Sequence, residues 1–191
     1  MIILASNSEA RIRLLNFAGV VFAHRAHLAK EGPGPADETA IALASRLARE
    51  KAHSLKDVAS NDMVIGSDQV LQCEGRVLGK AASLEELKEH LEFLRGRSHF
   101  LHSAVACVQE GQLLFETTAT ARLKMRHFSN DALQDYLAGN GEALLGCVGG
   151  YQIEAEGVRL FEELEGDSFT IQGIPLLPLL AFLRSRSLVA T

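Results

Sequence analysis

The chain has 191 residues, 47% hydrophobic and 23% charged, with a formal net charge of -5, enough apolar material for one domain or for two lobes sharing a sheet system. The acidic balance supplies no basic field for the backbone of a nucleic-acid polymer, so polymer binding is disfavoured, although local cations can still grip the phosphates of a small ligand. Cys73, Cys107 and Cys147 are odd in number and far apart, which suggests neither a disulfide framework nor a zinc site and fits a reducing cytoplasm.

The opening MIILAS is too short and lacks the basic start of a signal peptide, and IPLLPLLAFL is too short to span a bilayer, so a cytoplasmic chain with no membrane partner is expected. In chain order, IILA reads as a buried strand, SNS as a polar turn and EARIRLLNFAG as a helix ending at Gly19. VVFAH is the next strand. KEGPGPADET is a loop broken by Gly and Pro, before a helix over about residues 38 to 56 with Glu50 and Lys51 in its later turns. DMVIG and QVLQC read as two strands around a polar break at Ser67 and Asp68. EGR is a turn, and VLGK leads to a helix capped by Ser83 with Glu85 and Glu86 in its first turn.

SHFLHSAVACVQ and QLLFETTATARLKMRHF form a hairpin across Glu110 and Gly111, and Ser129 caps a short helix, NDALQDYLAG. A glycine-rich loop, a strand around Tyr151, a turn at EELEGD, a strand FTIQG and a helix from Pro175 to about Arg184 complete the pattern. Early alternation of strands and helices with a hairpin in the middle predicts an α/β class with a mixed sheet and flanking helices. No repeat or linker marks a boundary, so residues 1–191 read as a single domain.

Ser6, Asn7 and Ser8 leave a strand and enter a helix, where backbone N–H groups and hydroxyls bind phosphate, with Arg11 and Arg13 one turn further on. The same pattern serves a helix for which Ser8 is only the N-cap. Asp68, after Gly66 and Ser67, suits a metal ligand or general base on a stiff scaffold, and equally a turn aspartate. Lys51 and Lys80 offer a cation either to phosphate or to solvent. The seven histidines show no H-E-x-x-H spacing, CVGGY lacks the P-loop lysine and serine, and there is no serine elbow.

Taken together, ILASNSEARIRLL, LAREKA, VIGSDQVL with GRVLGK, LRGRSH, CVGGYQIEAEG and LFEELEGDSFTIQGIPL resemble the Maf family of septum-formation-inhibitor-like nucleoside triphosphate pyrophosphatases, in order and over nearly the whole chain. The resemblance implies a Maf/ITPase-like fold with two lobes around a central cleft. It implies cleavage of a nucleoside triphosphate between the α and β phosphates, giving a monophosphate and pyrophosphate with a divalent metal, Mg2+, Mn2+ or Co2+. It assigns Ser6, Ser8 and Arg11 to phosphate binding, Lys51 and Lys80 to phosphate contacts, Asp68 to catalysis and metal ligation, and Glu31 to a second metal ligand.

Gln69 and Glu154 resemble the base-reading positions of the subgroup acting on 7-methyl-GTP. A carboxylate accepts the guanine N1–H and N2–H pair, and its charge complements a cationic methylated ring. Glu9 and Ala10 stand where the family pattern has Pro and an aromatic or Arg, and Lys30 stands where an acid commonly precedes Glu31. These departures motivate a second reading, a nucleotide-binding regulatory protein linked to cell division with little or no turnover. A homodimer is the assembly that the resemblance suggests.

Overall fold

The structure, a computed structural model, describes residues 1–30, 32 and 34–189. Strand β1 (Ile2–Ala5) leads into helix α1 (Glu9–Phe17), strand β2 (Phe22–Arg25), helix α2 (Ala40–His53), strand β3 (Met63–Cys73) and strand β4 (Arg76–Leu78). Helix α3 (Leu84–Leu94), strands β5 (Ser98–Gln109) and β6 (Gln112–Met125), helix α4 (Asn130–Leu144), strand β7 (Phe161–Glu165) and helices α5 (Ser168–Ile171) and α6 (Leu176–Ser185) follow. The α/β fold is built on a seven-stranded mixed sheet of order β2-β1-β3-β5-β6-β7, with β4 on β3. Among the described residues, no helix is long and apolar enough to cross a membrane.

The chain divides into two compact units. The first comprises, among the described residues, Met1–Gln69, Ser103–Ala119 and residues 168–189; the second comprises Val70–His102 and Thr120–Asp167. In the first unit β1 runs parallel to both β2 and β3, and all four of its residues are buried, as a continuous apolar run in an interior parallel strand requires. Helix α1 stops where Gly19 takes φ +68. The Val20 N–H reaches Leu15 O and the Gly19 N–H reaches Asn16 O, a Schellman closure.

Helix α2 is shorter at both ends than expected. The Thr39 hydroxyl accepts from the Ala42 N–H at its start, and the Ser54 hydroxyl donates to Lys51 O at its end. The core of this unit joins Leu4, Leu15, Met63, Ile65, Ile174 and Leu179, with Phe115 stacked on Phe182 at its margin. The β5–β6 turn places Glu110 and Gly111 at φ 53 and 73, the left-handed pair that a two-residue hairpin favours.

The expected strand FTIQG is instead helix α5, closed by Gly173 at φ +110. The Ile174 N–H reaches Phe169 O and the Gly173 N–H reaches Thr170 O. The aromatic and β-branched residues that suggested a strand are overridden by this C-terminal closure.

In the second unit, Glu74 and Gly75 turn β3 into β4 at φ 50 and 79. The Ser83 hydroxyl caps α3 by accepting from the Glu86 N–H at 3.2 Å. Helix α3 packs on α4 and on a 3-10 turn at Val148–Gly150, with Leu87, Leu91, Leu123 and Leu133 fully buried. Helix α4 continues through Gly139 to Leu144, past the expected end of NDALQDYLAG. No strand forms around Tyr151. Gly149 and Gly150 turn at φ 78 and 74, and a Cβ on Gly150 would stand 2.2 Å from Leu87, so CVGGY serves close packing. EELEGD is largely strand β7 and not a turn, because Glu163 and Glu165 pair with Arg122 across the ladder to β6.

Candidate active site

Strand β3 is continuous through Ser67 and Asp68, which corrects the expectation of two strands around a break. Alternate side chains leave a strand on opposite faces, and here both faces of the polar stretch have partners. Gly66 and Asp68 face α2. Ser67 and Gln69 face the other way, toward the turn that follows α5.

The approach of α2 to β3 requires Gly66. A Cβ there would lie 2.2 Å from Ala48 O and 2.4 Å from Ala52 N, both backbone atoms of the helix. Lys51 lies between these two alanines in the chain, and its Nζ donates to Asp68 Oδ1. The pair is almost sealed, with side chains 8% and 11% exposed. A buried ion pair of this kind fixes geometry, and removing one partner costs about 3–5 kcal/mol by stranding the other charge.

The parallel register Ala5↔Gly66 brings the end of β1 alongside Ser67. There Ser6, 2% exposed, accepts the Ser8 N–H on its hydroxyl at 3.1 Å. Ser8 is the N-cap of α1 but makes no side-chain cap hydrogen bond; Ser6 does part of the work expected of a cap. The carboxyl ends of parallel strands next to a helix N-terminus are the usual place for a phosphate in α/β folds. One turn into α1, Arg11 Nε donates to Gly173 O at 2.8 Å.

Gln69 directs its amide nitrogen at Ser103 Oγ (3.0 Å), Thr170 O (3.1 Å) and Ile171 O (2.9 Å). Because the Ser103 hydroxyl spends its own hydrogen on Thr170 O at 2.7 Å, it accepts from Gln69, and all three partners require the donor end of the amide. Along α2, Arg46 grips Glu38 through two nitrogens at 2.7 and 2.8 Å and Glu50 through the third at 2.8 Å. This holds the Glu38 carboxyl below its ordinary range and ties the end of the preceding loop to the helix. Glu31 lies outside the described residues.

Lys80 and Glu154 belong to the second unit, Lys80 exposed just after β4 and Glu154 exposed in a turn before the Glu156–Leu160 segment. The same unit holds a fully buried His99, whose Nε2 meets the Tyr151 hydroxyl at 2.6 Å. Burial pushes its pKa down to about 4. A depression lined by Glu92, Arg95, Arg97, His127 and Asn130 contains none of the residues expected at the site.

The Maf-like protein family matches residues 1–186. The chain belongs to the Maf family. A nucleoside triphosphate pyrophosphatase of Nitrobacter winogradskyi is 44% identical to this Maf protein over 99% of this chain and 95% of its own length. One of the same name from Granulibacter bethesdensis is 43% identical over 96% and 95%. A solved nucleoside-triphosphatase, or dITP/XTP pyrophosphatase, of Mycobacterium abscessus overlaps 98% of this chain and 95% of its own at 16% identity and a TM-score of 0.40, too loosely to carry an argument.

For this Maf chain, the residues that sequence reasoning missed are the ones that arrange the others: Gly66, Ser67, Ser103 and Gly173. The run Gly173-Ile174-Pro175 did carry a signal, since Gly followed by Pro marks a helix end. Among the described residues, no group of three or more His, Cys, Asp or Glu side chains gathers to hold a metal. A lone carboxylate such as Asp68 still suits a Mg2+-type ion, which binds through one or two carboxylates and completes its shell with substrate phosphates and water.

Proposed function

We propose that this Maf protein hydrolyses the α–β phosphoanhydride of a nucleoside triphosphate to a nucleoside monophosphate and pyrophosphate. The observation that carries the proposal is the buried Lys51–Asp68 pair, set by Gly66 beside the end of β1. Near-full-length identity to relatives named nucleoside triphosphate pyrophosphatase supports the same reading.

Lys51 holds Asp68 by Oδ1, which fixes the direction of the second carboxylate oxygen. That oxygen is the one left to accept from the attacking water, and it would hold a divalent cation when one binds. When it meets water, Asp68 takes the water's proton as the new oxygen–phosphorus bond forms, and the bridging oxygen leaves with its electron pair on pyrophosphate. Arg11 and Lys51 offset the charge that develops on the phosphate oxygens, and Ser6 and Ser8 present the start of α1 to them; the family resemblance assigns a phosphate contact to Lys80 as well. A divalent cation (Mg2+, Mn2+ or Co2+), held by Asp68 and the substrate with Glu31 as further ligand, would add charge neutralisation at the same oxygens.

The family resemblance assigns base reading to Gln69 and to Glu154, and 7-methyl-GTP is the nucleotide that the Glu154 carboxylate complements best. A cytoplasmic homodimer is the assembly proposed with it. Pyrophosphate release from GTP, 7-methyl-GTP and the other common triphosphates, with Mg2+ and with Mn2+, tests the activity. No release from any of them, despite measurable nucleotide binding, sinks the enzyme and favours a regulatory nucleotide-binding protein.

A further inference from the structure

We propose that Ser67 is a positioning residue for Arg11. With Gln69 and Ser103 it clamps the turn Thr170–Gly173, whose last carbonyl aims the guanidinium. The task of Arg11, phosphate binding, rests on the function proposed above; the role of Ser67 rests on geometry.

Ser67 is fully buried, where an unpaired hydroxyl is unfavourable. Its single hydrogen has two acceptors in reach, Ala104 O at 2.7 Å and Gly173 O at 3.1 Å. Gly173 O also accepts Arg11 Nε, so one carbonyl, with two lone pairs, ties β3 to α1. The guanidinium is a rigid planar fork; fixing Nε against a fixed oxygen restricts the directions of both terminal nitrogens.

Glycine at 173 makes the arrangement possible. Its φ of +110 is one that L side chains rarely adopt; the space is not the constraint, since a Cβ would stand at ordinary contact, 3.4 Å from Arg11 Nε and 3.5 Å from Nη2. The turn itself is held at Thr170 O by Gln69 and Ser103, at Ile171 O by Gln69, and at Gly173 O by Ser67. Ser67 is sealed from solvent, so it acts through Arg11 and not on substrate.

The test compares wild type, Ser67→Ala, Arg11→Ala and the double variant, with Ser67→Cys, similar in volume but a weaker donor, replacing Ser67→Ala if that variant does not fold. The 1H–15N resonance of Arg11 Nε is expected to shift in Ser67→Ala and to exchange with water faster, because Gly173 O, its acceptor, loses its tie to β3. With GTP and 7-methyl-GTP as probes, kcat/KM is expected to fall about tenfold, mainly through KM, and the same change in the Arg11→Ala background to alter it less than about twofold. The resonance needs no substrate, so a wild type that releases no pyrophosphate overturns the proposed function and leaves this comparison standing. An unmoved Arg11 Nε–H signal, or an equal loss with and without Arg11, overturns the positioning role.

Discussion

Replacing Gly66 by Ala tests how the site is assembled. The new methyl would lie 2.2 Å from Ala48 O, against an ordinary contact that begins at 3.4 Å, a deficit of 3.4 − 2.2 = 1.2 Å. It would also meet Ala52 N at 2.4 Å and Ala52 Cα at 2.9 Å. All three are backbone atoms of a regular helix, so no rotamer change relieves the clash; α2 must move from β3 by about 1 Å, at about 1–3 kcal/mol for overpacking. Lys51 moves with the helix and Asp68 stays with the strand, and if they act as proposed, a 1 Å misplacement costs about 10²-fold in rate. Urea midpoints and pyrophosphate release should therefore fall together. Gly139→Ala supplies the control: it lies in α4 with nothing within 4 Å of its would-be Cβ and should gain about 0.5–1 kcal/mol, the usual helical preference for Ala over Gly. A Gly66→Ala protein with wild-type midpoint and wild-type kcat/KM would refute the reasoning.

Asp68→Asn keeps an oxygen for Lys51 Nζ but removes the charge; turnover should drop by at least about 10²-fold, the usual worth of a general base, and wild-type rates would take Asp68 out of the mechanism. Glu154→Gln should flatten the preference for guanine-type bases in the nucleotide panel, and an unchanged ranking would exclude Glu154 from base reading. His99 gives a pH dependence. Its folded pKa is held near 4 against an ordinary 6.5, so below pH 6.5 the unfolded chain binds a proton that the folded chain refuses, and stability falls until about pH 4. From pH 7 to pH 5 the loss from this one group is about 2 kcal/mol. Urea midpoints of wild type and His99→Gln across that range should diverge by this amount, and parallel curves would show that His99 titrates normally.

What the sequence made readable follows from how local each signal is. Ser83 and Ser129 cap helices through bonds three residues long, and Glu110-Gly111 turns a hairpin within itself, so these were visible in a short window. The polar run at Ser67-Asp68 was not, because its partners are distant in the chain: Lys51 for Asp68, Ala104 and Gly173 for Ser67. Seen without them, two polar residues between apolar runs read as a break. FTIQG misled for the same reason, since Gln69 and Ser103 hold its carbonyls in a turn. EELEGD misled because an edge strand can be mostly acidic when Arg122 lies opposite. Arg11, Lys51 and Asp68 stand out by residue type and family pattern, whereas Gly66 and Gly173 carry no chemistry of their own: Gly66 shows its importance in the space that a Cβ would occupy, and Gly173 in a φ of +110 that L side chains rarely adopt.

The polar quartet Gly66-Ser67-Asp68-Gln69 is thus a device for making one strand serve two faces. A turn at this point would present Asp68 on a loop and leave its direction to solvent and chance. A strand alternates instead: Gly66 admits the helix backbone and Asp68 receives that helix's lysine, while Ser67 and Gln69 anchor the turn that receives Arg11. Asp68 and the carbonyl that receives Arg11 are therefore referenced to the same rigid element, as the phosphoryl transfer proposed above would need. It follows that substitutions on the two faces should be separable. A Gln69→Ala change, although remote from Lys51 in bonding, should perturb Arg11 through Gly173 while leaving the Lys51–Asp68 pair intact, so its loss should show mainly in KM. Asp68→Asn should show mainly in kcat.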